Sequence, residues 1–169
     1  MRLLFSILLT SAFLNAEGGV LDVDWSGVTK GQQKLTSYPL VLTKGIANVH
    51  LPVYVANSVA HNNNLVVVAD KNFYSISLDI RGASLLFEGD KTYQESVDKS
   101  NPKFKNLLNH ISAVEYVASE GMMLAEFSKH GINYAITVEC EEPKTDKRCS
   151  EQGFVESLYN EIIMVGGRP

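Results

Sequence analysis

Two stretches of the chain repeat one pattern of alternating apolar and polar residues, and this repetition constrains the fold most. Residues 65–90 and 114–139 superpose without gaps at an offset of 49 positions. Each holds three alternating runs separated by two short turns, the second centred on Gly82 or Gly131. Alternation with a period of two is typical of antiparallel strands with one buried face. The sequence predicts two similar three-stranded β-meanders, and leaves open whether duplication or chance produced them.

The alternation also predicts which side chains share a face of each meander. The buried faces are predicted to carry Tyr74, Ile76, Leu78 and Ile80 in the first unit, and Met123, Ala125, Phe127, Ile132, Tyr134, Ile136 and Val138 in the second. Leu86, Met122 and Leu124 fall on the opposite face and form a candidate interaction patch. The alternative that the residues favour is that the N-terminal third, with Trp25, Leu40, Val41 and Leu42, covers this face, because most apolar positions belong to a core.

The C-terminal segment carries a helical pattern. Phe154, Leu158 and Ile162 recur every four residues, and Gly166 follows as a stop signal, which predicts an amphipathic helix over 151–165. Such a helix must bury one face, and the apolar face of the sheet is available. The predicted fold class is therefore α+β: a mostly antiparallel β-meander sheet of two similar three-stranded units, with this helix packed on one face. A β-sandwich or partial barrel closed by the helix is the alternative.

The remaining elements are predicted from local signals. Leu21, Val23 and Trp25 alternate with acidic residues, which suits a half-buried strand. Extended segments are expected over 40–43 and 49–56, and a loop over the Asn-rich residues 57–64. Asn101 and Pro102 favour a short helix over 100–111, because they suit the cap and first turn of a helix.

The first sixteen residues resemble a secretory signal peptide. Arg2 precedes an apolar run that is too short to span a bilayer, and Ala16 ends the segment. The predicted organisation is a signal peptide over 1–16, cleaved after Ala16, followed by one α+β domain over 17–169. We therefore expect a periplasmic or secreted protein that does not span the membrane after cleavage.

Cys140 and Cys149 are the only two cysteines, and eight residues separate them. In an oxidising compartment an even number of cysteines indicates a disulfide. Neither a CxxC redox motif nor the four-ligand spacing of a zinc site is present. The sequence predicts a structural disulfide that fixes the C-terminal helix, with a stabilisation of roughly 2 to 3 kcal/mol.

Composition and motifs exclude several functions. The net charge of −4 is not that of a nucleic-acid-binding surface, which needs clustered Lys and Arg. "DVDWSG" at 22–27 resembles the start of a calcium loop, but Gln33 stands where a bidentate Glu is required. No nucleophile motif is found, no metal or cofactor is predicted, and the enzymatic candidates are His61 in the Asn-rich loop and an acidic residue of the loops.

These observations predict a non-enzymatic binding module of the bacterial envelope, periplasmic or secreted. Its partner would be an envelope protein or a small apolar ligand held between helix and sheet. Two alternatives stay open: a periplasmic inhibitor or immunity protein, and a small hydrolase of unrecognised type. The residues fix neither the ligand nor the oligomeric state.

Overall fold

The computed structural model describes residues 18–28, 38–94 and 113–169 of the chain. The strands within these ranges are β1 Gly18–Val20, β2 Val53–Ala56, β3 Val66–Asp70, β4 Phe73–Ile80, β5 Ala83–Asp90, β6 Thr92–Gln94, β7 Glu115–Ser119, β8 Met122–Lys129, β9 Ile132–Cys140 and β10 Ile162–Gly166. The helices are α1 Leu40–Gly45, α2 Asn57–Ala60, α3 Lys147–Ser150 and α4 Gly153–Asn160. The predicted signal peptide over 1–16 and the predicted helix over 100–111 lie outside the described residues.

A six-stranded antiparallel sheet in the order β3-β4-β5-β9-β8-β7 confirms the two predicted meanders. The third strands of the two units, β5 and β9, pair at its centre. Phe87 lies opposite Ile136, and these are the residues that the 49-residue offset superposes. The two meanders are therefore related by an approximate two-fold axis through this pair, perpendicular to the sheet. Such an axis maps each face of the sheet onto itself, so both apolar faces lie on the same side.

The predicted inward residues form the main core. One face of the sheet contributes Tyr74, Ile76, Leu78, Leu85, Phe87, Met123, Ala125, Phe127, Ile132, Tyr134, Ile136 and Val138, all of them buried. The predicted glycine turns are confirmed as well, because Gly82 and Gly131 have backbone φ angles of 73° and 79°. Ile80 is only partly buried, since it ends its strand.

A second layer covers this inner face. It contains the antiparallel pair β2–β10 together with the short helices. Two tyrosines of the large sheet fasten it: the Tyr74 hydroxyl bonds to both the N–H and the C=O of Tyr54, and the Tyr134 hydroxyl donates to the carbonyl of Pro52. Buried hydroxyls need such partners, so these bonds fix where β2 sits on the sheet.

The C-terminal helix packs on the inner face as predicted, but it is shorter than predicted. In α4, Val155 and Leu158 are buried, and the Tyr159 ring meets Phe127 edge-on at 4.9 Å between centroids. The predicted span of 151–165 is wrong beyond 160, because 162–166 is the strand β10. Ile162 and its neighbours pair with β2, and this long-range pairing overrides the helical spacing of the local sequence.

Four local predictions in the N-terminal half are wrong in whole or in part. Residues 40–43, predicted as extended, belong to α1. Leu42 within this helix and Ile46 directly after it are buried four positions apart. The loop predicted over 57–64 begins with the helical turn α2, and the segment predicted over 49–56 is a strand only from 53. Residues 21–25 are not a strand, although their predicted alternation between partly buried and exposed side chains is present.

The predicted disulfide is formed between Cys140 and Cys149, with a Cα–Cα distance of 6.1 Å. Cys140 is the last residue of β9, and Cys149 lies in α3 directly before α4. Asp146 caps α3 by accepting the Arg148 N–H, and the Arg148 side chain donates to the carbonyl of Arg81 in the β4–β5 turn. The bridge and this arginine together hold the start of α4 against the ends of the inner strands of the large sheet.

Replacing both cysteines with alanine should lower the free energy of unfolding by about 2 to 3 kcal/mol, because the unfolded chain regains the entropy of an open loop. Urea unfolding of the purified protein measures this change. Thiol reduction of the unmodified protein should produce the same loss. A double variant as stable as the parent would contradict the role given to the bridge.

Gly89 is required for packing of the core tyrosines. A Cβ at this position would lie 2.5 Å from Tyr74 Cε1 and 2.8 Å from Tyr134 Cε1. Gly89→Ala should therefore destabilise the protein by about 1 to 3 kcal/mol through overpacking. Gly153→Ala is the matched control, since a Cβ there meets no atom within 4 Å and alanine favours helix. Equal unfolding midpoints for the two variants would contradict this account.

Candidate functional site

The candidate site is the face of the large sheet that points away from the core, called here the outer face. Every second residue of the six strands contributes to it, and the strand register arranges these residues in rows across the sheet. One row, the apolar row, consists of Val66, Ser77, Leu86, Thr137, Leu124 and Val117. The next, the acidic row, consists of Val68, Ser75, Glu88, Ala135, Glu126 and Glu115. The two rows lie about 7 Å apart along the strands.

The structure brings the three residues of the predicted patch together on this face. Leu86 and Leu124 flank Thr137 in the apolar row, and Met122 lies two residues from Leu124 opposite Glu139. All three side chains are partly buried. The alternative is that the N-terminal third covers this face. Leu42 does not do so, because it is fully buried in the core on the other side, and Leu40 and Val41 are exposed. α1 carries Leu42, and its Gly45 approaches Val67, which points to the inner face.

Every formal charge at the described strand positions of the outer face is negative. The acidic residues there are Asp70, Asp79, Glu88, Asp90, Glu115, Glu126 and Glu139, and no Lys or Arg stands among these positions. Glu115 lies directly opposite Glu126, a like-charge pair that destabilises a sheet. Within the described residues no ion pair neutralises Glu88, Glu115 or Glu126.

A groove of about 830 Å³ runs over the acidic end of this face. Its lining includes Phe73, Glu88, Asp90, Glu115, Glu126, Ser128, Asn133 and Ala135. Ser128 donates to the Asn133 side chain across the strands, and Asp90 accepts the Thr92 N–H, so these polar groups are held in place. The groove is large enough to hold several side chains of a partner, and its rim is anionic.

The structure singles out a histidine other than the predicted one. His61 is exposed and its ring lies 5.2 Å from that of Tyr38. His130 instead sits in the β8–β9 turn with a φ of 56°, and its Nε2 lies 3.0 Å from the Tyr54 hydroxyl. The sequence signal was the pair His130–Gly131, which suits a two-residue turn, but the contact with Tyr54 bridges 76 residues and has no local signal.

The surroundings of His130 lower its pKa. Desolvation is the largest cause, the neighbouring Lys129 adds to it, and Asp24 opposes it. The Lys129 ammonium also lies 4.7 Å from the centre of the Tyr54 ring, and burial raises the pKa of Tyr54 to about 12. The cluster therefore holds a neutral imidazole against a neutral phenol near neutral pH. This arrangement fastens the β8–β9 turn to the second layer.

The calcium-like segment is a hydrogen-bonded turn. Asp24 Oδ1 accepts the N–H groups of Ser26 and Gly27 and the Ser26 hydroxyl. These bonds, the Ser26 hydroxyl first, lower the pKa of Asp24. They account for Asp24, Ser26 and Gly27 of this segment without a metal. In the parts of the chain that the structure describes, no group of three potential metal ligands is found.

Comparison of the chain with protein-family models, curated proteins and solved structures found no match. Over the described ranges, no helix combines the length and the apolar character that crossing a membrane requires.

The His130 cluster predicts a loss of stability in mild acid. The folded protein binds the His130 proton at a pH below the ordinary value of 6.5, so the unfolded chain binds more protons in that range. Stability is complete above about pH 6.5 and should decline as the pH falls through the lowered pKa. Unfolding midpoints measured between pH 7.5 and pH 5 test this.

His130→Asn should flatten this decline, because asparagine tolerates the positive φ and does not titrate. Lys129→Gln should reduce it, since the lysine contributes to the lowered pKa. An unchanged slope in His130→Asn would contradict the assignment.

Proposed function

We propose that this protein is a non-enzymatic binding module of the bacterial envelope, periplasmic or secreted. Its outer face would hold a basic, partly apolar segment of another envelope protein. The observation that carries the proposal is the charge of that face: seven carboxylates and no Lys or Arg at its described strand positions, beside a row of apolar side chains.

The carboxylates supply long-range attraction and selectivity for cations. No Lys or Arg side chain of the described residues pairs with Glu88, Glu115 or Glu126. A cation that reduces their mutual repulsion must therefore come from outside the described residues. Bound lysines or arginines would remove the cost of the Glu115–Glu126 pair as well as gain their own attraction. Charges arranged in this way raise the association rate and exclude acidic partners.

The apolar row supplies the contact that a purely electrostatic surface lacks. Leu86 and Leu124 lie two strands apart, about 10 Å, with the short Thr137 between them. Apolar side chains at this spacing can bury matching residues of a partner while its basic residues reach the acidic row. A partner segment with apolar and basic stripes about 7 Å apart fits both rows together.

The disulfide supports the proposed compartment, since such bridges persist where the environment is oxidising. The signal-peptide pattern of residues 1–16 agrees with it. We therefore expect the partner to be a protein of the same compartment.

A photo-cross-linking amino acid at Thr137 should capture the partner in cells, because this position lies between the two leucines of the apolar row. The same amino acid at Glu151 is the control, since this residue is exposed between α3 and α4. Mass spectrometry identifies the captured protein, and an enzyme or toxin as partner would indicate the inhibitor or immunity role. Adducts that are equal at both positions, or absent at 137, would refute the proposal.

Glu88→Gln/Glu115→Gln/Glu126→Gln should weaken partner binding about tenfold, corresponding to about 1.4 kcal/mol. The same variant should unfold at a higher denaturant concentration, because the like-charge repulsion is gone. Glu141→Gln/Glu142→Gln/Glu151→Gln changes the net charge equally at exposed positions outside the sheet and is the matched control. Titration of the captured partner at low and high salt measures the difference, and equal affinities for both variants would count against the acidic row.

A further inference from the structure

The edge strand β3 exposes apolar side chains that the other described residues do not cover. Val66 and Val68 are 59% and 57% exposed, and both belong to the outer face. Among the described residues β3 pairs with β4 alone, so its second edge is open. Natural edge strands are usually protected by charges, proline or bulges, and Val66–Ala69 contains none of these. The opposite edge differs: in β7 the outward Val117 is partly buried and Glu115 begins the strand.

The register of the β3–β4 hairpin determines which backbone groups of β3 are unpaired. Asp70 pairs with Phe73 across a two-residue turn, so this closing pair exchanges hydrogen bonds. Alternation along the ladder then directs the N–H and C=O groups of Val68 and Val66 to β4. Those of Val67 and Ala69 point to the open edge.

These constraints select one way for two copies to pair. In an antiparallel arrangement with its two-fold axis at Val67, each Val67 exchanges two hydrogen bonds with its copy, and Ala69 exchanges two with Leu65. Val66 of one chain then lies opposite Val68 of the other, twice, which buries all four exposed valines. Asp70 lies opposite Asn64, so no like charges meet. Shifting the axis by one residue places a valine opposite either Asp70 or Asn64.

We infer that the protein forms a homodimer through antiparallel pairing of β3 with β3 of a second copy, centred on Val67. The two large sheets join into one of twelve strands. The apolar row of each copy then continues into the acidic row of the other, because Val66 begins the apolar row and Val68 begins the acidic row. This inference is independent of the proposed function, since it needs only the β3 edge and no partner.

Sedimentation analysis over roughly a hundredfold range of concentration tests the inference. The protein should sediment at twice the chain mass, and Val66→Lys/Val68→Lys should be monomeric with unchanged far-UV circular dichroism. Val20→Lys is the control, because Val20 is also exposed, at 51%, but belongs to β1. A monomeric parent at all concentrations would overturn the dimer, as would a dimer unaffected by the lysines.

Cysteine pairing tests the register. In the inferred dimer a cysteine at 66 faces position 68 of the other chain at a Cα distance of about 4.5 Å, within reach of a disulfide. Two copies of position 66 lie about 8 Å apart, beyond that reach. A mixture of Val66→Cys and Val68→Cys chains with tags of different size should therefore give cross-linked heterodimers on oxidation. Cross-linking that is equally strong within each variant alone would exclude this register.

Discussion

The pairing of β5 with β9 is the interaction on which the rest of the structure depends. Each meander alone is a three-stranded sheet with one apolar face, and neither has a core of its own. Their eight paired positions join the units about Phe87 and Ile136, which are 1% and 2% exposed. This contact closes a long loop, whose entropic cost must be offset by the apolar area that the joined sheet buries against its second layer. The inner face, the outer face and both edges are defined only once it has formed.

The second layer is positioned by polar groups as much as by apolar ones. Burial raises the pKa of Tyr74 and Tyr134, so their hydroxyls stay protonated and donate to the backbone of residues 52 and 54. Because each hydroxyl lies in the core, an unpaired one would cost about as much as a lost hydrogen bond. The tyrosines therefore specify one placement of β2, and through β2 the placement of β10, whereas apolar contacts alone would permit several.

The sequence permitted the strands of the two meanders to be predicted because each is specified by its own alternation and by the glycines of its turns. The cysteine pair was predictable from its number and spacing. β10 was not, since Ile162 to Gly166 becomes a strand only through β2, more than 100 positions earlier in the chain. The outer face shows the same division. Local alternation places Leu86, Met122 and Leu124 on this face. The arrangement of Glu88 and Glu126 on either side of Ala135 depends on the β5–β9 register, which no local pattern encodes.

The composition of the outer face is difficult to explain as an ordinary solvated surface. Solvated sheet faces mix basic and acidic residues, and cross-strand pairs of opposite charge add stability. Here carboxylates are the only charged groups at the described positions, and Glu115 lies directly opposite Glu126. Their repulsion lowers the stability of the folded state. The apolar row next to them adds a second cost, because its leucine and valine side chains stay partly exposed to water. Both costs disappear if a cationic, partly apolar surface lies against the sheet. The outer face therefore lowers the stability of the fold, whereas the inner face is packed and hydrogen-bonded. This difference is expected if the outer face binds a partner.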